Sequence, residues 1–245
     1  MFRKMWALFR TVVTRPQWIA GLGILWAAVL LVLTISAEPT PENKTLVVSI
    51  TLSGVYTVLL AVTRRWWLPR LASGKPLRNA MALGIFNAAA IETLFLVVQH
   101  AFGAEGIAAS PNLLIDLLVT MPWYIGMVVI FVRVQHRRRF SAATVLLLGA
   151  LYEVGADGLI GGAFEGTIFT PAGWFLLLTI AYWEFILVYS SMVLPPAWVI
   201  ETVPPPPPPE GPAWRDAVRP LYWLFPFVGY LAALFVVGGI LSELF

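Results

Sequence analysis

Long apolar runs alternate with short polar or turn-forming segments along the chain. Seven runs contain about 20 mostly apolar residues, the length that an α-helix needs to cross the hydrocarbon core of a membrane. Their predicted boundaries are 18–36, 45–63, 80–102, 112–134, 142–163, 172–194 and 221–242. A transmembrane barrel would instead show shorter segments of alternating polarity. The pattern predicts an all-α, polytopic integral membrane protein in which residues 1–245 form a single transmembrane domain.

The composition supports the same fold class. Hydrophobic residues make up 59% of the chain and charged residues only 12%, whereas a soluble domain carries about 25% charged residues. The mean hydropathy is +0.82. These values exclude a soluble enzyme domain, a nucleic-acid-binding module and a disordered chain. Because the chain has no cysteine and only two histidines, thiolate metal sites and disulfides are excluded, and we predict no metal site and no cofactor.

The basic residues predict the orientation of the helices. Of the 16 basic residues, all except Lys44 fall on one side of the predicted membrane. Basic segments are retained on the cytoplasmic side. We therefore predict an N-in, C-out, multi-pass protein of the cell inner (cytoplasmic) membrane, and we attribute the high pI to this topology. The residues on the predicted inner side are Arg3, Lys4, Arg10, Arg15, Arg64, Arg65, Arg70, Lys75, Arg78, Arg133, Arg137, Arg138, Arg139, Arg215 and Arg219.

Three segments of the predicted inner side allow alternative interpretations. Residues 195–220 form a predicted cytoplasmic Pro-rich loop whose six consecutive prolines, at 204–209, favour a stiff polyproline II spacer over an SH3-like ligand. The arginine run at 137–139 is interpreted as a topology determinant, with binding of anionic lipid head groups as the alternative. The N-terminal basic and apolar segments resemble a signal peptide, but the apolar run is longer than a signal core, which favours a retained first span.

Five acidic residues fall within the predicted spans, and no Lys or Arg lies in the central part of any span. An ionisable group in the bilayer costs about 2.5–3.5 kcal/mol even on the mild insertion scale. Such groups must be protonated, hydrogen-bonded, hydrated or bound to a cation. We expect them to face an inward cavity and to be catalytic, with interhelical hydrogen bonding as the alternative. They are Glu92, Asp116, Glu153, Asp157 and Glu184.

The positions of these residues suggest how the site is built. Glu92, Glu153 and Glu184 lie midway along their spans, while Asp116 and Asp157 lie nearer the predicted outer side. Glu153 and Asp157 are four residues apart and share one helix face. Asp116 has a second interpretation as a hydrated helix-start residue. The side chains expected to line the cavity and bind the substrate are Gln99, Trp123, Tyr124, Tyr152, Trp183 and Phe185.

Two short segments resemble known membrane enzymes. Residues 90–99, Ala-Ile-Glu-Thr-Leu-Phe-Leu-Val-Val-Gln, resemble a signature of the small polytopic lycopene cyclases, an Ile-Glu-Glu run followed by Leu-Phe-Phe and Gln. Thr93 stands at the second acidic position and Ala90 at the usual proline. Residues 152–158, followed by Gly161, are similar to a Glu-plus-glycine segment of the carotenoid hydratases. The resemblance implies protonation of an alkene or epoxide, with Glu92 as the proton donor and Glu153 as a second acid.

Two functions of different classes follow from these observations. The first is an intramembrane enzyme that protonates an apolar isoprenoid lipid, as a carotenoid or terpenoid cyclase or hydratase would. Aromatic ring faces would stabilise the carbocation. The second is a proton- or cation-coupled transporter in which carboxylates form a relay. A structural subunit of a larger membrane complex is a third option. The expected partners are membrane or isoprenoid lipids and not nucleic acid, and the sequence names neither the substrate nor a protein partner.

Overall fold

The computed structural model describes residues 16–164, 166–207 and 210–244. Seven helical segments in this part of the chain are long and apolar enough to cross a membrane, which confirms the predicted all-α fold with seven long apolar segments. The predicted N-terminal basic residues and the last two prolines of the 204–209 run lie outside the described residues.

The α-helices are α1 (Pro16–Ala37), α2 (Pro41–Val62), α3 (Arg64–Ala72), α4 (Pro76–Phe102), α5 (Leu113–Arg138), α6 (Ala142–Glu153), α7 (Gly162–Phe164), α8 (Pro171–Leu176), α9 (Tyr182–Glu201), α10 (Ala213–Ala217) and α11 (Leu224–Leu244). Two π-helices, Val154–Gly161 and Leu177–Ala181, join α6 to α7 and α8 to α9. Two short 3₁₀ segments are Thr167–Phe169 and Arg219–Trp223. The basic segment between the second and third spans, predicted as a connection, contains α3.

Capping residues explain where several helices begin. Thr40 precedes α2 and accepts a hydrogen bond from the Asn43 backbone N–H at 3.2 Å. Asn112 precedes α5 and accepts from two backbone N–H groups of the first turn. Side-chain oxygens of this kind satisfy donors that have no partner within the helix. Helices α2 and α8 also begin with proline, which has no N–H to satisfy.

Helix α9 passes through Pro195 and Pro196 and ends at Glu201, whereas the sequence predicted a loop from residue 195. Proline inside a helix removes a backbone hydrogen bond, at a cost of about 3 kcal/mol. Pro195 leaves the Ser191 carbonyl without its usual donor. The Asn87 side-chain amide of α4 supplies one at 2.6 Å, and Tyr56 of α2 donates to the Asn87 carbonyl oxygen at 2.9 Å. The neighbouring helices therefore support the continuation of α9.

A second proline, Pro122, is accommodated in α5 in the same way. Its missing N–H frees the Leu118 carbonyl, which accepts a hydrogen bond from the Tyr230 hydroxyl at 2.7 Å. The Trp223 indole donates to the Pro122 carbonyl at 2.8 Å. A Cβ atom at Gly126 would overlap the Trp223 ring. Only glycine permits this close approach of the C-terminal segment to α5.

Helix α9 is the centre of the bundle. It packs against α1, α2, α4, α5 and α6, and all its residues from Val188 to Ile200 are buried. A helix that is apolar on all sides is expected in such a position. Small residues on its neighbours bring the backbones close. A Cβ at Gly84 of α4 would lie 3.0 Å from the Met192 carbonyl oxygen, and one at Gly149 of α6 would lie 3.1 Å from Val193.

Candidate functional site

Four of the five predicted intramembrane carboxyl groups lie together. Glu92 comes from α4, Asp116 from α5, Glu153 from the end of α6, and Asp157 from the π-helix that follows. The Glu92 carboxyl interacts with those of Asp116 and Asp157, and the Glu153 carboxyl interacts with those of Asp157 and Glu92. We call these four residues the carboxylate cluster. Three parts of the fold that are distant in sequence contribute to it.

Glu92 and Asp116 form one side of the cluster. The Tyr124 hydroxyl of α5 donates a hydrogen bond to Glu92 Oε1. Asp116 Oδ1 accepts from the Ser110 backbone N–H at 3.4 Å, and its Oδ2 has no hydrogen-bond partner among the described residues. Asp116 is completely buried. Asp116 lies in the first turn of α5, the position that the helix-start interpretation expects, and its side chain also faces Glu92 of the cluster.

Glu153 forms the other side of the cluster, and Tyr189 of α9 connects the two sides. Glu153 is 3% exposed, and its carboxyl interacts with the Tyr189 hydroxyl. That hydroxyl also accepts a hydrogen bond from Trp123 Nε1 at 3.2 Å. The Tyr124 and Tyr189 rings lie 5.8 Å apart between centroids. Glu153 Oε2 has no hydrogen-bond partner in the described part of the chain.

Asp157 is the member of the cluster that reaches a cavity. It lies in the π-helix Val154–Gly161, whose hydrogen-bond pattern widens the turn and is frequent at functional sites. Asp157 is exposed although it interacts with buried Glu153. The reason is that it lines a cavity of about 380 Å³. The second π-helix, Leu177–Ala181, forms part of the opposite wall.

The rest of this cavity, which we call the Asp157 cavity, is apolar. Four glycines and several aliphatic side chains line it, together with Phe185. A Cβ at Gly161 would have no atom within 4 Å, so the glycine leaves open space there. Leu176 also lines the cavity and is 52% exposed on the outer surface. The Asp157 cavity is therefore an open cleft that reaches the surface of the bundle.

Among the described residues, no basic side chain forms an ion pair with the carboxylate cluster. The salt bridges in the described part of the chain join Arg64 to Glu201, and Arg138 and Arg219 to Asp216. Like charges repel strongly in a low-dielectric interior. Neighbouring carboxyl groups that lack a basic partner among the described residues repel one another when ionised, so they are able to share protons. This arrangement is able to donate a proton and to take it back.

Several predicted site residues lie elsewhere. The Glu184 carboxyl interacts with none of the four members of the cluster. Trp183 packs against α1, where a Cβ at Gly23 would overlap its ring. The Tyr152 hydroxyl donates to the Ala217 carbonyl at 2.8 Å. Trp183 and Tyr152 thus contact other parts of the bundle instead of the carboxylate cluster.

Gln99 positions a loop. Its side-chain oxygen accepts hydrogen bonds from the Ile107 and Ala108 backbone N–H groups at 3.1 and 2.7 Å. The same loop supplies the Ser110 N–H that binds Asp116. Gln99 therefore acts on the carboxylate cluster indirectly, through the loop that it holds in place. Of the other predicted binding residues, Trp123 and Tyr124 contact the cluster or its tyrosine partner, and Phe185 lines the Asp157 cavity.

Tyr189, which is not among the predicted site residues, is completely buried at the centre of the site. Its signal was a hydroxyl-bearing aromatic residue midway along an apolar span, directly before Ser190 and Ser191. The predicted aromatic residues of this span were instead Trp183 and Phe185, which flank Glu184. The two π-helices were also missed, although the glycine-rich stretch 155–162 marks the first of them.

Within the described residues, no group of three or more acidic or histidine side chains has an arrangement that could hold a metal ion. Comparison of the chain with protein-family models, with curated proteins and with solved structures finds no match.

Proposed function

We propose that this protein is an intramembrane enzyme that acts on an apolar isoprenoid lipid by carboxylic-acid protonation, as a carotenoid or terpenoid cyclase or hydratase. One observation carries the proposal: Asp157, a member of a cluster of four carboxyl groups that have no basic partner in the described part of the chain, lines an otherwise apolar cavity. The proposal includes an N-in, C-out orientation in the inner membrane, based on the distribution of basic residues.

The chemistry requires no redox partner. The Asp157 carboxylic acid transfers its proton to one carbon of a carbon–carbon double bond, which leaves a carboxylate and a carbocation. A second double bond of the same molecule attacks the cation, forming a carbon–carbon bond and a ring. Loss of a proton from a neighbouring carbon to the carboxylate restores the acid. The net reaction is an isomerisation, and in a hydratase water would add to the cation instead.

The neighbours of Asp157 suit this cycle. Glu153 interacts with Asp157 and exchanges a proton with it, while Tyr189 connects Glu153 to the Glu92 side of the cluster. The Phe185 ring lines the cavity, and an aromatic face stabilises a nearby cation by about 0.5–2 kcal/mol. A volume of about 380 Å³ is at the lower end of ligand pockets. It suits one end of a long isoprenoid whose remainder stays in the bilayer.

The packing around the cluster favours this enzyme over the transporter. Between Tyr124 and the basic C-terminal end of α5, completely buried apolar side chains fill the core of the bundle. They are Met127, Val128, Phe131 and Val132 on α5 and Met192 and Val193 on α9. A proton path across the membrane would need a continuous series of polar groups or water, and the buried polar side chains at this level, Asn87, Ser190 and Ser191, lie on α4 and α9 and not on this face of α5. The cluster instead connects sideways to the Asp157 cavity.

The resemblance to the lycopene cyclases is consistent with the same site. Glu92, the residue to which the signature maps, lies in the carboxylate cluster. Thr93 replaces the second acid of the signature, and its hydroxyl donates to the Ala89 carbonyl of its own helix at 2.7 Å. We propose that Asp157 and Glu153, brought from another helix, perform the task of the missing acid.

The proposal is tested by producing the protein in a bacterium that makes lycopene and analysing the pigments. We expect a cyclised or hydrated product, and growth in D₂O should place deuterium at the protonated carbon. Replacing a general acid removes about 10²–10⁴-fold of rate. Asp157→Asn and Glu153→Gln should therefore abolish the product, and Glu92→Gln should reduce it. Gly161→Leu should abolish it by filling the cavity, since a Cβ atom at this position meets no atom within 4 Å.

Glu184→Gln is the matched control, because Glu184 is an intramembrane carboxyl outside the cluster. It should leave the product yield unchanged. Unaltered pigments with the wild-type protein would reject the carotenoid version, and full activity of Asp157→Asn would reject the assignment of the acid. Proton flux in proteoliposomes without any isoprenoid, abolished by Glu153→Gln, would favour the transporter.

A further inference from the structure

Arginines line a second cavity, far from the carboxylate cluster, at the C-terminal end of α5. The cavity has a volume of about 240 Å³ and lies between α5 and the segment that joins α10 to α11. Arg133 and Arg137 come from successive turns of α5, and Arg219 comes from the start of the 3₁₀ segment. Asp216 is the only acidic residue in its lining. Three guanidinium groups and one carboxylate give this site a net charge of +2.

The arginines near this cavity have different partners. Arg138 binds buried Asp216 and the Gly211 carbonyl, and Arg139 donates to the carbonyl of Ile200 in the last turn of α9 and to that of Val203 just after the helix. These two arginines hold the fold together. Arg133 and Arg137 are exposed and have no ion-pair partner among the described residues. Within the arginine run at 137–139, Arg138 and Arg139 therefore stabilise the fold, whereas Arg137 lines the cavity together with Arg133.

The position of the cavity matches the head-group region of a membrane. Helix α5 has 26 residues, and at about 1.5 Å per residue it is about 39 Å long, against about 30 Å for the hydrocarbon core. Its last turns therefore extend beyond the core. Trp214 and Tyr222, on the neighbouring segment, are 62% and 59% exposed. Exposed Trp and Tyr are typical of the membrane interface.

We propose that this cavity binds the phosphate of an anionic membrane lipid, with Arg133 and Arg137 as its main ligands and Arg219 as a third. Guanidinium groups match phosphate oxygens in charge and geometry. Basic pockets between helices at the membrane surface bind anionic head groups. Asp216 fixes the position of Arg219 through a bond of 2.8 Å to its Nε. The remaining nitrogens of Arg219 stay available for the phosphate.

The test is native mass spectrometry of the delipidated full-length protein, titrated with dioleoylphosphatidylglycerol or with dioleoylphosphatidylcholine. Each arginine near a charged head group contributes about fivefold in affinity. We expect the wild type to prefer phosphatidylglycerol and Arg133→Gln/Arg137→Gln to bind it at least about tenfold more weakly. Arg65→Gln/Arg78→Gln removes the same charge from exposed residues outside the cavity. This control should stay within about twofold of the wild type.

Two results would overturn the proposal. If both double variants bind phosphatidylglycerol equally weakly, the lipid is attracted by the overall charge and not by this cavity. If Arg133→Gln/Arg137→Gln binds it as tightly as the wild type, the two arginines are not its ligands. Arg137→Glu provides an independent check: an exposed side chain is changed, and the preference for phosphatidylglycerol should disappear. Inorganic phosphate alone is titrated in parallel and followed by thermal unfolding. Stabilisation by phosphate that requires Arg133, without specific lipid binding, would show a soluble anion site and would also overturn the lipid assignment.

Discussion

Asn87 should be essential for stability because it supplies the donor that Pro195 removes from α9. Asn87 is completely buried and makes two interhelical hydrogen bonds, to the Ser191 carbonyl at 2.6 Å and from the Tyr56 hydroxyl at 2.9 Å. Interhelical bonds in membranes contribute about 0.6 kcal/mol each and at most about 1.7. Leaving a buried polar group without a partner costs about 1–3 kcal/mol. Asn87→Ala should therefore lower the free energy of unfolding by about 1–3 kcal/mol.

A double-mutant cycle isolates the bond to Ser191. In Pro195→Ala, the new backbone N–H can donate to the Ser191 carbonyl, so this carbonyl no longer needs Asn87. Asn87→Ala should then cost less by about 0.5–1.5 kcal/mol than it does in the wild type. Tyr56→Phe is the matched control, since it removes the other bond of Asn87. Its cost should be the same in both backgrounds.

The assay is equilibrium unfolding in mixed micelles with increasing SDS, followed by far-ultraviolet circular dichroism. Refolding from SDS must give the same curve, so that a free energy can be defined. An equal cost of Asn87→Ala in the wild-type and Pro195→Ala backgrounds would refute the reasoning. The Ser191 carbonyl would then depend on Asn87 for reasons other than the missing N–H.

Three further predictions use the same unfolding assay. Gly126→Ala should lose about 1–3 kcal/mol, because the new Cβ would overlap the Trp223 ring and must displace it; an unchanged midpoint would contradict this close packing. Tyr230→Phe should lose about 0.5–1.5 kcal/mol, since the Leu118 carbonyl loses its donor, and no loss would mean that this carbonyl has another partner. Arg139 has φ of 52°, so Arg139→Ala should be about 1 kcal/mol less stable than Arg139→Gly, which tolerates this backbone without strain; equal stability would argue against strain at this turn.

The fold was largely predictable, because length and hydropathy alone distinguish a membrane helix. All seven predicted spans correspond to long apolar helices. The largest difference is at Pro195, where a local rule predicted the end of a helix. That rule describes an isolated helix and does not include a donor from a neighbour. Asn87 lies 104 residues from Ser191 in sequence, so only the packed bundle reveals that the proline is tolerated.

The sequence indicated some members of the candidate site but not all of them. Glu92, Asp116, Glu153 and Asp157 lie together in the structure. Glu184 satisfied the same criteria of depth and neighbours, yet it lies apart. Sequence gives the depth of a residue in a span, but the direction of its side chain depends on how the helices are rotated against each other.

By itself, the sequence determined the class of protein, the seven apolar helices and the presence of carboxyl groups without basic partners, because these properties are local or additive along the chain. The tertiary structure decided which carboxyl groups meet, that Tyr189 connects them, and that Asp157 alone of the cluster lines the cavity. It also separated the structural arginines from Arg133 and Arg137. These features depend on helix rotation, on the two π-helices and on close approach at glycines, and each requires contacts between distant parts of the chain.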